Sequence, residues 1–122
     1  MKIGTYSGLF LLITGILHTI TAVLLNHEIY SDILKDGFIN MVSDDYARAF
    51  AFWFLICGIL LILFGQVLNR YQRKEQKPAP LFLGYSMLLF AVAGCIADPV
   101  SGFWLFIPQA VLIIVANKKM KV

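Results

Sequence analysis

The stretch Gly8-Leu-Phe-Leu-Leu-Ile-Thr-Gly-Ile-Leu-His18 decides the fold class, because it lies inside the uncharged apolar run Ile3–Leu25. Three similar runs follow at Ala47–Leu68, Leu81–Ala97 and Phe103–Ala116, and Arg48 is the one charged residue among all four. Apolar residues make up 60% of the 122-residue chain, against roughly 45–50% in soluble domains. A helix of about 20 apolar residues crosses about 30 Å of hydrocarbon. We therefore expect an all-α membrane protein.

The expected architecture is a four-transmembrane-helix, up-down-up-down bundle in a single domain, residues 1–122. The predicted spans are about 3–26, 44–69, 80–97 and 99–117. The fourth is expected to begin at Asp98-Pro99, because aspartate caps helices and proline is favoured at the first helical position. Ser43, followed by Asp44 and Asp45, is expected to cap the second span.

The distribution of lysine and arginine predicts the orientation of the chain. The basic residues gather at both termini and in the connector between spans two and three: Lys2, Arg70, Arg73, Lys74, Lys77, Lys118, Lys119 and Lys121. The opposite side of the membrane would have only two basic residues, Lys35 and Arg48, and more acidic residues than basic ones. The positive-inside rule therefore predicts that both termini lie in the cytoplasm. The net charge of +3 comes from these anchors, so we expect membrane lipids as partners and no nucleic acid.

The connector between the first two spans, residues 28–43, is too long for a tight hairpin. Its apolar residues recur at helical spacing, with most of its charged residues on the other side. This pattern predicts a short amphipathic helix in the outer interface, with Gly37 as its weak point. It would cover the end of the bundle or act as a lid over an outward-facing cavity.

Polar residues inside the apolar runs mark the candidate site, because polar groups enter hydrocarbon only at a cost. Counting about 1.5 Å per residue from the outer helix ends places a polar or soft group of every span at a similar depth. The candidate ligand-binding residues are Thr14, His18, Thr21, Cys57, Ser86 and Gln109. We expect a small polar pocket centred on His18, with His27, Glu28 and Asp98 at its outer mouth.

His18 permits several interpretations. It could accept a proton, ligate haem, donate a hydrogen bond to a ligand headgroup, or tie helices together as a neutral histidine held by Thr14 or Gln109. Haem would need a dimer in which His18 meets its copy, so no cofactor is predicted. No metal site is predicted either, because His27, Glu28 and Asp32 form the kind of surface cluster that water usually solvates. The chain has no nucleophile elbow, phosphate loop, zincin motif or C-x-x-C, so no catalytic residue is predicted.

Three segments together resemble a family of small bacterial four-span membrane proteins, a domain of unknown function. They are the opening stretch Gly8–His18, Phe52-Trp-Phe-Leu-Ile-Cys-Gly-Ile-Leu-Leu-Ile-Leu-Phe-Gly65 and Asp98-Pro-Val-Ser-Gly-Phe-Trp-Leu105. The resemblance implies a bacterial plasma membrane and contributes no activity.

The polar layer beneath a lid-like connector favours a protein or sensor that binds a lipid or small amphiphile, rather than an enzyme. One alternative is a homodimeric transporter that moves a cation or a proton-coupled solute through the His18 layer. Another is a haem- or quinone-associated membrane enzyme.

Overall fold

A computed structural model describes residues 3–121 of the chain. A short 3-10 helix at Ile3–Tyr6 leads into α1 (Ser7–Lys35), which is followed by α2 (Tyr46–Glu75), α3 (Leu81–Ala97) and α4 (Phe106–Met120). A second 3-10 helix, Gly102–Leu105, leads directly into α4.

Three segments of the described chain are long and apolar enough to cross a membrane: Gly4–Lys35, Tyr46–Glu75 and Gly102–Met120. The remaining α-helix, α3, is apolar but shorter, with 17 residues. No strand occurs within residues 3–121. The predicted all-helical class is therefore confirmed, and the helices indicate a membrane protein.

Helices α1 and α2 form a close antiparallel pair along a seam of small residues. The seam consists of Gly8, Gly15, Gly58 and Gly65, and each lies directly against the partner helix. An added Cβ at Gly65 would lie 2.6 Å from Leu12 Cα, and one at Gly15 would lie 2.6 Å from Ile62 N. Small residues at this spacing let two helix backbones approach where lipid removes the hydrophobic drive for association.

Helices α3 and α4 form a second antiparallel pair, in which Gly84 packs against Ile113 and Gly94 against the ring of Phe103. Of the described helices, α4 is the one that joins this pair to α1, whereas α3 has no comparable contact with α1 or α2. The molecule is thus two hairpins joined along α1 and α4. Buried residues of all four helices nevertheless share one hydrophobic core, among them Leu11 of α1, Leu68 of α2, Met87 of α3 and Ile113 of α4. The four-span, up-down-up-down arrangement stays a prediction.

One end of the molecule gathers the start of α1 and the ends of α2 and α4. The side chain of Ala116 lies directly against Gly4, and Asn117 Nδ2 donates to the carbonyl of Ala79 over 2.7 Å. Lysine and arginine side chains surround this junction: Arg70, Arg73, Lys74, Lys77, Lys118, Lys119 and Lys121, and all are exposed. We call this the basic end.

The predicted interfacial helix over residues 28–43 is corrected by the structure. The first part of this segment continues α1 as far as Lys35, past non-helical backbone at Asn26 (φ −125°, ψ 18°). It stays packed along α2, because Tyr30 donates from its hydroxyl to the carbonyl of Ala51 over 2.7 Å and Ile33 is buried. Residues 36–43 are not helical, and Gly37 (φ 99°) begins the turn that ends α1.

The structure also corrects two predicted helix starts. Asp45, not Ser43, caps α2, since its carboxylate accepts from Ala47 N at 2.8 Å and Arg48 N at 3.2 Å. The helical segment expected from Pro99 begins instead at Gly102, where the Ser101 hydroxyl is the cap. Asp98 closes the end of α3, and its carboxylate accepts from Val100 N at 3.3 Å within the turn.

The two hairpins differ in length on the side opposite the basic end. From Thr14, α1 continues for about 30 Å to Lys35, whereas the α4 segment continues for only about 10 Å from the neighbouring Gln109 to Gly102. On this side, α1 is therefore about 20 Å longer than the α4 segment when both are measured along the helix.

Candidate ligand-binding groove

An open groove of about 420 Å³ lies where α1 meets α4, along the junction of the two hairpins. Helix α1 contributes Phe10, Ile13, Thr14 and Leu17. The α4 side contributes Leu105, Pro108, Gln109 and Leu112. The volume lies within the roughly 300–1,000 Å³ of small-molecule sites. Its walls are almost wholly apolar.

The same spacing produces both walls. On each helix the lining residues lie at i, i+3, i+4 and i+7, which places them on one face. Pro108 lies in the first turn of α4, where the missing backbone N–H removes little helical hydrogen bonding. The groove is therefore a product of two regular helix faces rather than of a loop.

A polar pair crosses the apolar groove at its centre. Gln109 Nε2 donates to Thr14 Oγ1 over 2.7 Å and to the carbonyl of Leu105 over 3.0 Å. Thr14 Oγ1 in turn donates to the carbonyl of Phe10 over 2.8 Å. Both side chains are more than nine-tenths buried. Within residues 3–121, Gln109 Oε1 is the only buried side-chain oxygen or nitrogen without a hydrogen-bond partner.

His18 does not line this groove. Its Nε2 donates to the carbonyl of Phe54 on α2 over 2.9 Å, and its ring lies 4.2 Å from the Phe54 ring. Its ring also lies close to Gly58, whose missing side chain leaves the space for it. The expected partners Thr14 and Gln109 bond to each other instead. His18 thus belongs to the α1–α2 seam.

The remaining candidates from the sequence do not join the groove either. Thr21 is exposed, and its hydroxyl donates to the carbonyl of Leu17 on its own helix over 2.9 Å. Cys57 and Ser86 are exposed on α2 and α3 respectively. Similar depth does not bring these residues together, because depth fixes position along a helix and leaves the direction of the side chain open.

The three residues expected at an outer mouth lie at two different levels. Asp98 is in the turn between α3 and α4, while His27 and Glu28 are exposed on the part of α1 that extends beyond that turn. His27 Nδ1 bonds within its own helix to the carbonyl of Leu24 at 3.3 Å. Across residues 3–121, no group of three or more histidine, cysteine, aspartate or glutamate side chains could hold a metal ion.

Sequence reasoning missed the apolar walls of the groove and a buried polar clamp near the basic end. Gln72 has no exposed surface. Its Oε1 accepts from Gly8 N at 2.8 Å, and its Nε2 donates to Gly4 O at 3.2 Å and Ser7 Oγ at 2.7 Å. Gln72 thereby satisfies one of the free N–H groups at the start of α1. The basic residues on either side of Gln72 in the sequence favoured a position at the surface. The only sequence signal for burial was that Gln72 itself has no charge.

A family model matches residues 2–120, almost the whole chain. The protein belongs to the family of unknown function DUF6463. No curated protein and no solved structure matches the chain. Membership of DUF6463 supports the predicted resemblance to an uncharacterised family and assigns no activity.

Proposed function

We propose that this protein is an integral membrane protein that binds a lipid or small amphiphile, with an apolar chain of the ligand in the groove between α1 and α4. One observation carries the proposal: an open groove of about 420 Å³ whose lining is almost entirely aliphatic or aromatic. Alkyl chains bind to such surfaces through close packing, without the need for matched polar groups.

The polar pair favours the same class of ligand. The Thr14 hydroxyl already has a donor and an acceptor partner, and both N–H bonds of Gln109 Nε2 point at oxygen atoms. These groups therefore offer little to a polar ligand, and Gln109 Oε1, although it has no partner, has almost no exposed surface. Phe10, Leu17 and Leu112, by contrast, offer apolar surface. The proposal moves the binding site from His18, where the sequence placed it, to the neighbouring face of α1 that meets α4.

The proposed location is a bacterial plasma membrane, with the basic end and both termini in the cytoplasm. The support is the concentration of exposed lysine and arginine at one end, because such residues favour the cytoplasmic side. Labelling with a membrane-impermeant maleimide tests this in intact cells. In a Cys57→Ala, Cys95→Ala background, Ser43→Cys should be labelled and Lys77→Cys should not. Labelling of Lys77→Cys alone would reverse the orientation.

The binding proposal is tested by native mass spectrometry of the purified protein with added diacyl phospholipid. Leu112→Trp fills the groove and should abolish retention of the lipid. Leu89→Trp is the matched control, because Leu89 is exposed on α3 away from the groove. Equal retention by both variants, or no retention by the parent protein, would refute the proposal. Transport through the His18 layer and haem binding stay predictions from the sequence.

A further inference from the structure

The face of α4 that lines the groove also carries a lysine, Lys119, near the end of the helix. Pro108 and Leu112 lie on this face, and Lys119 follows seven residues after Leu112. Seven residues make almost two complete turns, so Lys119 lies on the same face about 10 Å nearer the basic end. Lys119 is exposed and lies in the last turn of the helix.

The tertiary structure places other cations at the same end of the molecule as Lys119. The contact of Ala116 with Gly4 and the bond from Asn117 to Ala79 hold the end of α4 beside the connector that contains Lys77. Glu75 is the one acidic residue at this end within residues 3–121, against seven lysines and arginines. A surface with this charge attracts anionic lipid headgroups.

The distances suit a phospholipid that lies along the helix. One leaflet accounts for about 15 Å, half of a hydrocarbon core about 30 Å thick. At about 1.5 Å per residue, 15 Å from Lys119 reaches the level of Gln109. A lipid with its phosphate beside Lys119 would therefore place the end of one chain in the groove.

We infer that the groove selects an anionic phospholipid, whose chain occupies the space between α1 and α4 and whose phosphate binds Lys119. This inference rests on the proposed function and adds the class of headgroup and its binding residue. A zwitterionic headgroup fits less well, because its own cation would meet a surface on which positive charge already predominates.

The test compares phosphatidylglycerol with phosphatidylcholine of identical acyl chains, each added to the purified full-length protein and measured by native mass spectrometry. The parent protein should retain phosphatidylglycerol preferentially. Lys119→Gln should reduce that preference about fivefold and leave the retention of phosphatidylcholine unchanged. Lys74→Gln is the matched control, because it removes the same charge from the basic end on a different helix.

Each other outcome is decisive. Equal retention of the two lipids would overturn the headgroup assignment and leave the proposed groove standing. Equal losses in Lys119→Gln and Lys74→Gln would replace the Lys119 site with general attraction to the basic end. Retention of neither lipid would overturn both the inference and the proposed function.

Discussion

Gln109 Nε2 and Thr14 Oγ1 are 2.7 Å apart and form a hydrogen bond between the two hairpins. The two residues come from α4 and α1, 95 positions apart in the chain. The bond crosses the candidate groove, so the same pair that fixes the arrangement of the hairpins also shapes the binding surface.

Thr14→Val should lower the free energy of unfolding by about 0.5–1.5 kcal/mol, the usual size of a hydrogen bond between membrane helices. Gln109→Leu should cost less, because it also removes the buried Oε1 that has no partner. Both are measured by reversible unfolding in mixed detergent micelles. A larger loss for Gln109→Leu would mean that Oε1 has a favourable interaction in the folded protein.

Gly65→Ala should lower the free energy of unfolding by about 1–3 kcal/mol, because the new methyl group would meet backbone atoms of Leu12 that cannot move independently. Gly102→Ala is the matched control, since no atom lies within 4 Å of its added Cβ. The same unfolding assay compares the two variants. Equal stability of both would contradict the close approach of α1 and α2.

Gln72→Leu should release the start of α1, because it leaves the buried N–H of Gly8 without an acceptor. A buried polar group of this kind costs about 1–3 kcal/mol. Hydrogen exchange should accelerate at residues 4–8 and change little elsewhere. Gln66→Leu, an exposed position on the same helix, should leave exchange unaltered. Unchanged exchange in Gln72→Leu would refute the clamp.

His18→Ala should reduce stability and leave lipid retention intact, because the imidazole bonds to Phe54 of α2 and lies outside the groove. Leu112→Trp should abolish lipid retention and leave stability largely unchanged. Thermal unfolding and native mass spectrometry on the same samples separate the two properties. Loss of lipid retention in a folded His18→Ala protein would return the binding site to His18.

The polar residues show how far the sequence could predict the site. Depth alone selected Thr14 and Gln109, and the structure brings these two together. Depth also selected Cys57 and Ser86, which instead face outward on other helices. Direction around an apolar helix is hard to infer, because hydrophobic residues occupy its lipid-facing and its buried sides alike.

The connector between the first two spans shows a second limit of prediction from the sequence. The spacing of apolar residues predicted helix in residues 28–43, and α1 is indeed helical to Lys35. The sequence offered no means to tell an interfacial helix from an extension of α1, because the same amphipathic pattern suits a membrane surface and a neighbouring helix. The hydrogen bond from Tyr30 to Ala51 of α2 and the burial of Ile33 decided between them.

The sequence by itself determined the helical class, the positions of the long apolar segments and the concentration of positive charge, because these depend on the hydropathy and charge of contiguous residues. Only the tertiary structure decided which polar groups meet, that α3 packs chiefly against α4, and that Phe10, Leu17 and Leu112 line one groove. These features depend on the rotation and register of packed helices. The glycine contacts and a few buried hydrogen bonds set both, through atoms far apart in the chain.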